Sequence, residues 1–176
     1  VILMRAVIES QYFPPIAYFC LLIHAEKTSI DIFEHYEKQS YRNRFEIVTT
    51  QGVQNFSVPV IKGNQKKAFK DIKIDYHENW VNVHWRSILS AYGKSPFFEY
   101  YADALHVVLF KQYPYLYELN WSLLTLCLKW LKLDIQIQES LAYEKEAGPG
   151  VLDLRNAISA KNKGVSKVEP HFKPYT

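Results

Sequence analysis

The apolar pattern in the first part of the chain predicts a strand, a short helix and a second strand. Residues 4–9 (MRAVIE) and 27–33 (KTSIDIF) are the two strand-like runs. Between them, Pro14 and Pro15 end the extended segment, because each proline removes a backbone donor and restricts the residue before it. Proline is tolerated in the first turn of a helix, so residues 16–25 are predicted to be helical. The result is a βαβ unit, whose crossover should be right-handed.

The middle of the chain predicts a β-hairpin followed by another strand. Residues 45–50 and 55–61 flank the segment QGVQ, in which Gly52 supplies the turn. Residues 71–75 (DIKID) alternate between apolar and polar side chains, as a strand does.

The second half of the chain is predicted to be mostly helical. Trp80, His84 and Ile88 fall on one face of a helix over residues 80–92. A second helix is predicted to begin with Ser95 as N-cap and Pro96 at its first position. The remaining predictions are a leucine-rich helix from about 116 to 131, a strand at 134–138, a loop with a short amphipathic piece at 145–158, and an extended tail from about 159.

Together these elements predict one α/β domain over residues 1–176. Its fold would be a Rossmann-like open sheet begun by the βαβ unit, with a β-hairpin and a helix-rich second half. A chain of 176 residues, 48% of them hydrophobic and 22% charged, can bury a core of ordinary composition.

Charge and cysteine content exclude several classes of function. A formal net charge of +3 is too weak to indicate a nucleic-acid partner. Cys20 and Cys127 lie in apolar helical patterns without metal-like spacing, so we expect reduced core thiols and no metal site. The densest apolar run near the start, 16–23, is far short of the ~20 residues of a membrane helix. It follows no basic leader. We therefore expect a cytoplasmic protein with no membrane insertion.

Polar residues after the second strand form the richest candidate site. Glu34 beside His35 suits proton transfer, and both are predicted to be catalytic. Arg42 and Arg44 alternate along an extended segment and could grip a phosphate or carboxylate together. The predicted ligand-binding set is completed by Gln11, Tyr12, Phe13, Tyr18, Tyr36, Lys38, Gln39, Asn43 and Lys62.

These residues should meet at one edge of the sheet, because ligands of open α/β sheets bind at the carboxyl ends of the strands. The alternative is a solvated loop, with the arginines serving as ion-pair partners of Glu34 or Glu46. His84, a lone histidine on an apolar helix face, is predicted to be a hydrogen-bonded core residue.

Several segments taken together resemble the bacterial WbqC-like protein family. They are SQYFPPIAYFCLLIHA, FEHYEKQSYRNRFEI, SVPVIKG, KDIKID, NWVNVHWRSILSAYGKSPFFEYY and DLRNAI, and they span most of the chain. The family's opening pattern is matched at Gln11, Phe13, Pro14, Tyr18 and Phe19, with Ala17 where the family has glycine. Many relatives have an Asp-Asp pair where this chain reads Glu34-His35-Tyr36, so a metal role for paired aspartates does not carry over.

The resemblance implies a function in surface glycan synthesis, because several family members belong to gene clusters for O-antigen and other polysaccharides. We therefore expect a cytoplasmic transferase that acts on a phosphate- or nucleotide-linked small molecule, with an anionic substrate as its partner and no cofactor assigned. The strand-turn-helix opening also resembles that of nucleotidylyltransferases, but their paired histidines are absent at this turn. A non-catalytic sugar- or partner-binding protein with an aromatic cleft is the alternative, and stacking of aromatic rings on sugars would explain the 13 Tyr, 10 Phe and 4 Trp.

Overall fold

The computed structural model describes residues 5–61 and 66–159 and has the predicted α/β class. Its strands are β1 (Arg5–Glu9), β2 (Lys27–Asp31), β3 (Arg44–Thr49), β4 (Gly52–Ser57), β5 (Gln136–Glu139) and β6 (Val151–Asp153). Its helices are α1 (Ile16–Leu22), α2 (Trp80–Tyr92), α3 (Phe98–Phe110) and α4 (Leu116–Trp130), with one turn of 3₁₀ helix at Phe69–Asp71. No helix in the described ranges has the length and apolar content needed to span a membrane.

Four strands form a parallel sheet in the order β5-β2-β1-β6. This is the order of the first four strands of a Rossmann sheet, so the predicted fold class is confirmed. One face of the sheet packs on α1 and on the end of α4. The side chains buried between the sheet and these helices include Ala6, Ile8 and Ile30 of the strands, Leu22 of α1 and Leu128 of α4.

The hairpin and the remaining helices surround a second hydrophobic core. Strands β3 and β4 pair antiparallel, and their apolar side chains pack with those of α2, α3 and the start of α4. Helix α4 belongs to both cores, since Leu119 and Leu123 lie in this one while Leu124 and Leu128 lie under the sheet. Asn120, on the same helix, is buried and donates to the Arg42 carbonyl at 2.9 Å.

Three of the predicted elements need correction. Residues 71–75 do not form a regular strand: 3₁₀ structure ends at Asp71, and only isolated bridges join Ile74 to Val60 and Lys73 to Tyr115. Ser95 and Pro96 do not begin a helix, because α3 starts at Phe98 after Phe97 adopts a left-handed conformation with φ of 64°.

The third correction is β6, which lies inside the segment predicted to be a loop. Smaller shifts affect two other elements. Helix α1 ends at Leu22, and β4 begins at Gly52, so the hairpin turn lies at Thr50 and Gln51. The predicted tail lies almost entirely outside the described residues.

Candidate functional site

The two segments predicted to form a site do meet at the carboxyl edge of the parallel sheet. Glu9 and Asp31, the last residues of β1 and β2, are register partners. The chain after β1 then pairs with the chain leading to β3, since the Tyr12 amide donates to the Tyr41 carbonyl at 2.8 Å. The βαβ order therefore places residues 10–12 and 34–44 side by side.

Arg42 and Glu34 form a buried ion pair within this region. Nε and Nη2 of Arg42 donate to the two carboxylate oxygens of Glu34 at 2.7 and 2.6 Å, and Nη2 also donates to Oδ1 of Asn156 at 3.1 Å. Arg42 is only 2% exposed. Burial raises the pKa of Glu34 to about 7, although the bonds from Arg42 act in the opposite direction.

The predicted two-arginine clamp is therefore not formed in this structure. Arg42 is committed to Glu34, whereas Arg44, the first residue of β3, is half-buried and makes no ion pair among the described residues. The alternative left open by the sequence, an ion pair with Glu34, holds for Arg42. Glu34 is correspondingly engaged in structure and is not an open proton acceptor.

A second buried carboxylate lies beside this pair, where β1 and β6 separate. Gln11 Nε2 donates to one oxygen of Glu9 at 2.6 Å, and the Asn156 amide donates to the other at 2.9 Å. Burial raises the pKa of Glu9. Gln11 Oε1 is buried without a hydrogen-bond partner among the described residues. Gln11 thus belongs to an internal polar network, not to an exposed ligand surface.

Most of the predicted aromatic residues are buried in the hydrophobic core and do not line one cleft. Tyr12 and Tyr18 are fully buried, and Tyr18 Oη donates to the Glu9 carbonyl at 2.8 Å. Tyr36 is also buried and stacks on Phe69. Phe13 has a strained φ of 48° and borders a separate, apolar cavity of about 290 Å³ beside the hairpin. The aromatic cleft expected from the sequence is not assembled from these residues.

His84 has the structural role that its helix position predicts. Its side chain is buried, and Nδ1 lies 3.0 Å from Tyr12 Oη in a hydrogen bond. Burial lowers the pKa of the imidazole to about 4, outweighing a hydrogen bond with the backbone of Ser57. The ring is therefore neutral at pH 7.

The remaining predicted residues are scattered. Asn43 is buried and donates to the Val58 carbonyl at 2.9 Å, while Lys38 and Gln39 are exposed on the loop before it. His35 is exposed, with its ring 5.8 Å from that of Tyr143. Lys62 lies outside the described residues.

A cavity of about 240 Å³ lies on the other face of the sheet, opposite α1 and α4. Successive strand residues point to opposite faces, so Ala6, Ile8 and Ile30 fill the core while Arg5, Val7, Ser29 and Asp31 face this cavity. The cavity lining includes Arg5, Lys27, Ser29, Asp31, Gln138 and Arg155, with residues 141, 142 and 144 above them. We call this the sheet-face cavity.

The strand register arranges these side chains in rows across the sheet-face cavity. Arg5 pairs with Lys27, so the two cations are neighbours at one end. In the next row Ser29 pairs with Gln138, whose Nε2 donates to Ser29 Oγ at 3.1 Å. Asp31 follows in the third row. Among residues 5–61 and 66–159, neither Arg5 nor Lys27 makes an ion pair.

Arg155 links the loop above the sheet-face cavity to the carboxyl ends of two strands. Its guanidinium forms ion pairs with Asp31 at 2.8 Å and Asp153 at 2.7 Å. It also donates to the backbone carbonyls of Glu144 at 2.6 Å and Lys145 at 3.2 Å. One side chain therefore joins β2, β6 and the crossover loop between β5 and β6.

Sequence reasoning did not assign a site role to Arg5, Lys27, Asp31 or Arg155. The polar positions that alternate with apolar ones in β1 and β2 were an available signal, because parallel strands covered on both faces are normally apolar throughout. Arg155 belongs to the DLRNAI segment, one of those that carry the family resemblance.

Comparisons with known proteins identify the family. The sequence profile of the WbqC-like protein family matches residues 9–165. A relative from Mycobacterium tuberculosis, "Uncharacterized protein Rv1507c", is 32% identical over 145 residues, which are 81% of this chain and 62% of the relative. The chain thus spans less than two thirds of that relative's length, and no solved structure matches it significantly. With the profile covering most of its length, the chain belongs to the WbqC-like protein family.

Proposed function

We propose that this protein is a cytoplasmic transferase acting on a phosphate- or nucleotide-linked small molecule during synthesis of surface glycan precursors. The substrate binds in the sheet-face cavity. The observation that carries the proposal is the pair of neighbouring cations, Arg5 and Lys27, facing this cavity without an acidic partner among the described residues. Cations lining a concave site raise the local concentration of an anionic ligand.

The sheet-face cavity runs along the strands, from Arg5 and Lys27 at their amino ends to Asp31 and Arg155 at the carboxyl edge. Ligands of open α/β sheets usually bind near that carboxyl edge. The link to glycan synthesis rests on the family resemblance.

His35 is the candidate proton-transfer residue in this proposal. Its ring contacts Tyr143, and the next residue, Glu144, lines the cavity. The imidazole is exposed, and a histidine ring can both accept and donate a proton. Glu34 has no proposed chemical step because its carboxylate is bound to Arg42.

Thermal denaturation with candidate ligands tests the proposal, because a ligand that binds the native state raises Tm. Phosphorylated sugars, nucleotides and nucleotide-sugars should be screened against the wild type and the double variant Arg5→Gln/Lys27→Gln. We expect at least one compound to stabilise only the wild type. Arg86→Gln removes an exposed cation from α2 and is the matched control. Equal stabilisation of the double variant and the wild type would rule out the sheet-face cavity as the substrate site.

The second candidate is a non-catalytic sugar- or partner-binding protein. Exposed aromatic side chains at the start of α3 favour it: Phe97 is 78% exposed and Tyr100 is 79% exposed. Large exposed aromatic rings can stack on a sugar or anchor an interface. Binding of a neutral oligosaccharide that is lost in Tyr100→Ala but retained in Arg5→Gln/Lys27→Gln would favour this reading.

A further inference from the structure

We infer that the ligand of the sheet-face cavity is a small phosphomonoester with hydroxyl or amino groups on its body, and not a nucleotide. This inference rests on the proposed function, since it takes the cavity to be the substrate site. It chooses between the two substrate classes which that proposal leaves open.

The size of the cavity is the first argument. At about 240 Å³ it is smaller than the roughly 300–1,000 Å³ typical of pockets that enclose drug-sized ligands. A nucleotide, with its base, ribose and phosphates, belongs to that larger class. A single phosphate on a three- to six-carbon body is a better match.

The order of charges along the cavity is the second argument. Side chains two residues apart on a strand are roughly 6.6 Å apart, at about 3.3 Å per residue, so the cavity has three distinct zones. Arg5 and Lys27 form the cationic zone, and two positive charges match the charge of about −1.5 to −2 on a phosphomonoester at pH 7.

The other two zones favour neutral or cationic groups. Ser29 and Gln138 offer a hydroxyl and an amide, which recognise hydroxyl groups by hydrogen bonding. Beyond them the exposed carboxylate residue of the lining is Glu144, because Asp31 is 2% exposed and its carboxylate already accepts from two backbone amides and from Arg155. A ligand with a second anionic group at its far end would meet the like charge of Glu144, whereas a hydroxyl or amino group would find an acceptor there.

Arg155 does not reverse this order of charges. Its guanidinium is already paired with both Asp31 and Asp153, and its other bonds go to carbonyls of the loop above the cavity. It therefore limits the height of the cavity and does not serve as a third phosphate-binding cation.

Isothermal titration calorimetry at low salt tests the inference with four probes: glucose 6-phosphate, glycerol 3-phosphate, inorganic phosphate and uridine diphosphate. We expect the two phosphomonoesters to bind more tightly than inorganic phosphate and uridine diphosphate. Arg5→Gln/Lys27→Gln should weaken both phosphomonoesters and inorganic phosphate by roughly tenfold or more, since hydrogen bonds to charged groups are lost. Arg86→Gln should leave every Kd unchanged.

A second variant separates recognition of the phosphate from recognition of the body. Gln138→Ala should weaken glucose 6-phosphate while leaving inorganic phosphate unchanged, because Gln138 lies one row from the two cations. Circular dichroism melting verifies that each variant is folded.

The possible failures are distinguishable. If uridine diphosphate binds as tightly as glucose 6-phosphate and depends on Arg5 and Lys27, the substrate class is wrong and the proposed site stands. If Gln138→Ala weakens inorganic phosphate as much as glucose 6-phosphate, the order of zones is wrong. If no probe distinguishes the wild type from the double variant, both this inference and the proposed site are wrong.

Discussion

Removing the Arg42 cation should destabilise the fold severely. In Arg42→Met the carboxylate of Glu34, whose side chain is 9% exposed, loses both bonds from the guanidinium. Breaking a buried pair by removing one partner costs about 3–5 kcal/mol, because the other charge stays buried without compensation. For a domain of this size, 1 kcal/mol corresponds to roughly 2–4 °C, so Tm should fall by roughly 6–20 °C.

Arg42→Lys should have an intermediate effect. Lysine keeps the positive charge but cannot reproduce the planar two-point contact with Glu34 and the third bond to Asn156. Loss of hydrogen bonds to a charged group gives an expected cost of about 1.5–3 kcal/mol. Arg44→Lys is the matched control, because Arg44 is half-buried and makes no ion pair among the described residues. Its effect should stay within about 0.5 kcal/mol.

Urea denaturation at pH 8 measures these differences. The pH lies above the pKa of about 7 for Glu34 in the wild type, so the pair is ionised there. In Arg42→Met this pKa rises further, because the bonds from Arg42 that lower it are gone, and uptake of a proton by Glu34 limits the cost at pH 8. The double variant Glu34→Met/Arg42→Met removes both charges and should be considerably more stable than Arg42→Met alone.

Two results would refute this reasoning. Arg42→Met with a free energy of unfolding within about 1 kcal/mol of wild type would mean that the pair contributes little to stability, contrary to the cost expected for a buried pair. If that variant were also unable to bind a phosphorylated ligand, Arg42 would be a binding residue, as the sequence first indicated. A loss in Arg44→Lys equal to that in Arg42→Lys would show that burial does not distinguish the two arginines.

Two further predictions concern buried titratable groups. The pKa of His84 is about 4 in the folded protein, compared with an ordinary value of 6.5. As pH falls, His84 is therefore protonated first in the unfolded chain, and roughly 3 kcal/mol of stability should be lost between pH 6.5 and 4. Urea denaturation over this range should show that loss of stability in the wild type relative to His84→Gln. Glu34 gives the free energy of unfolding an opposite dependence on pH, but it does so equally in both proteins. Parallel curves of stability against pH for the two proteins would contradict the prediction. Burial raises the pKa of Cys127 to about 11, so at pH 8 only about one thiol in a thousand is ionised and Ellman's reagent should modify Cys127 much faster in urea than in buffer; a Cys20→Ala background isolates this thiol, and rapid modification of the native protein would show that the side chain is accessible.

Local patterns predicted the elements whose cause is local. Helix α2 has the predicted bounds, 80–92, because Trp80, His84 and Ile88 repeat at helical spacing toward one core. The βαβ unit could be predicted because two prolines separate an apolar strand-like run from a helix. Strand β6 was missed because three residues carry little pattern, and they are a strand only through pairing with β1.

The candidate site was harder to predict because it depends on burial. A run of charges normally indicates a solvated loop or an exposed binding surface, and nothing local shows that Arg42 lies under helix α4 with Asn120 on its carbonyl. Conversely, Arg5 and Lys27 looked like ordinary strand-end charges. Only the sheet order reveals that they are neighbours facing a cavity.

The pairing of β1 with β6 has a consequence for the order in which the protein folds during synthesis. Glu9 and Asn156, joined by a hydrogen bond at this edge, are 147 residues apart in the chain. The hairpin and helices between them make closer contacts in sequence and can assemble while the ribosome is still translating. Contacts of high sequence separation form slowly, because a long loop must close before they contribute. Strand β1 is therefore completed by β6, which is synthesised much later, and until then its β6-facing backbone edge stays open to pairing with other chains.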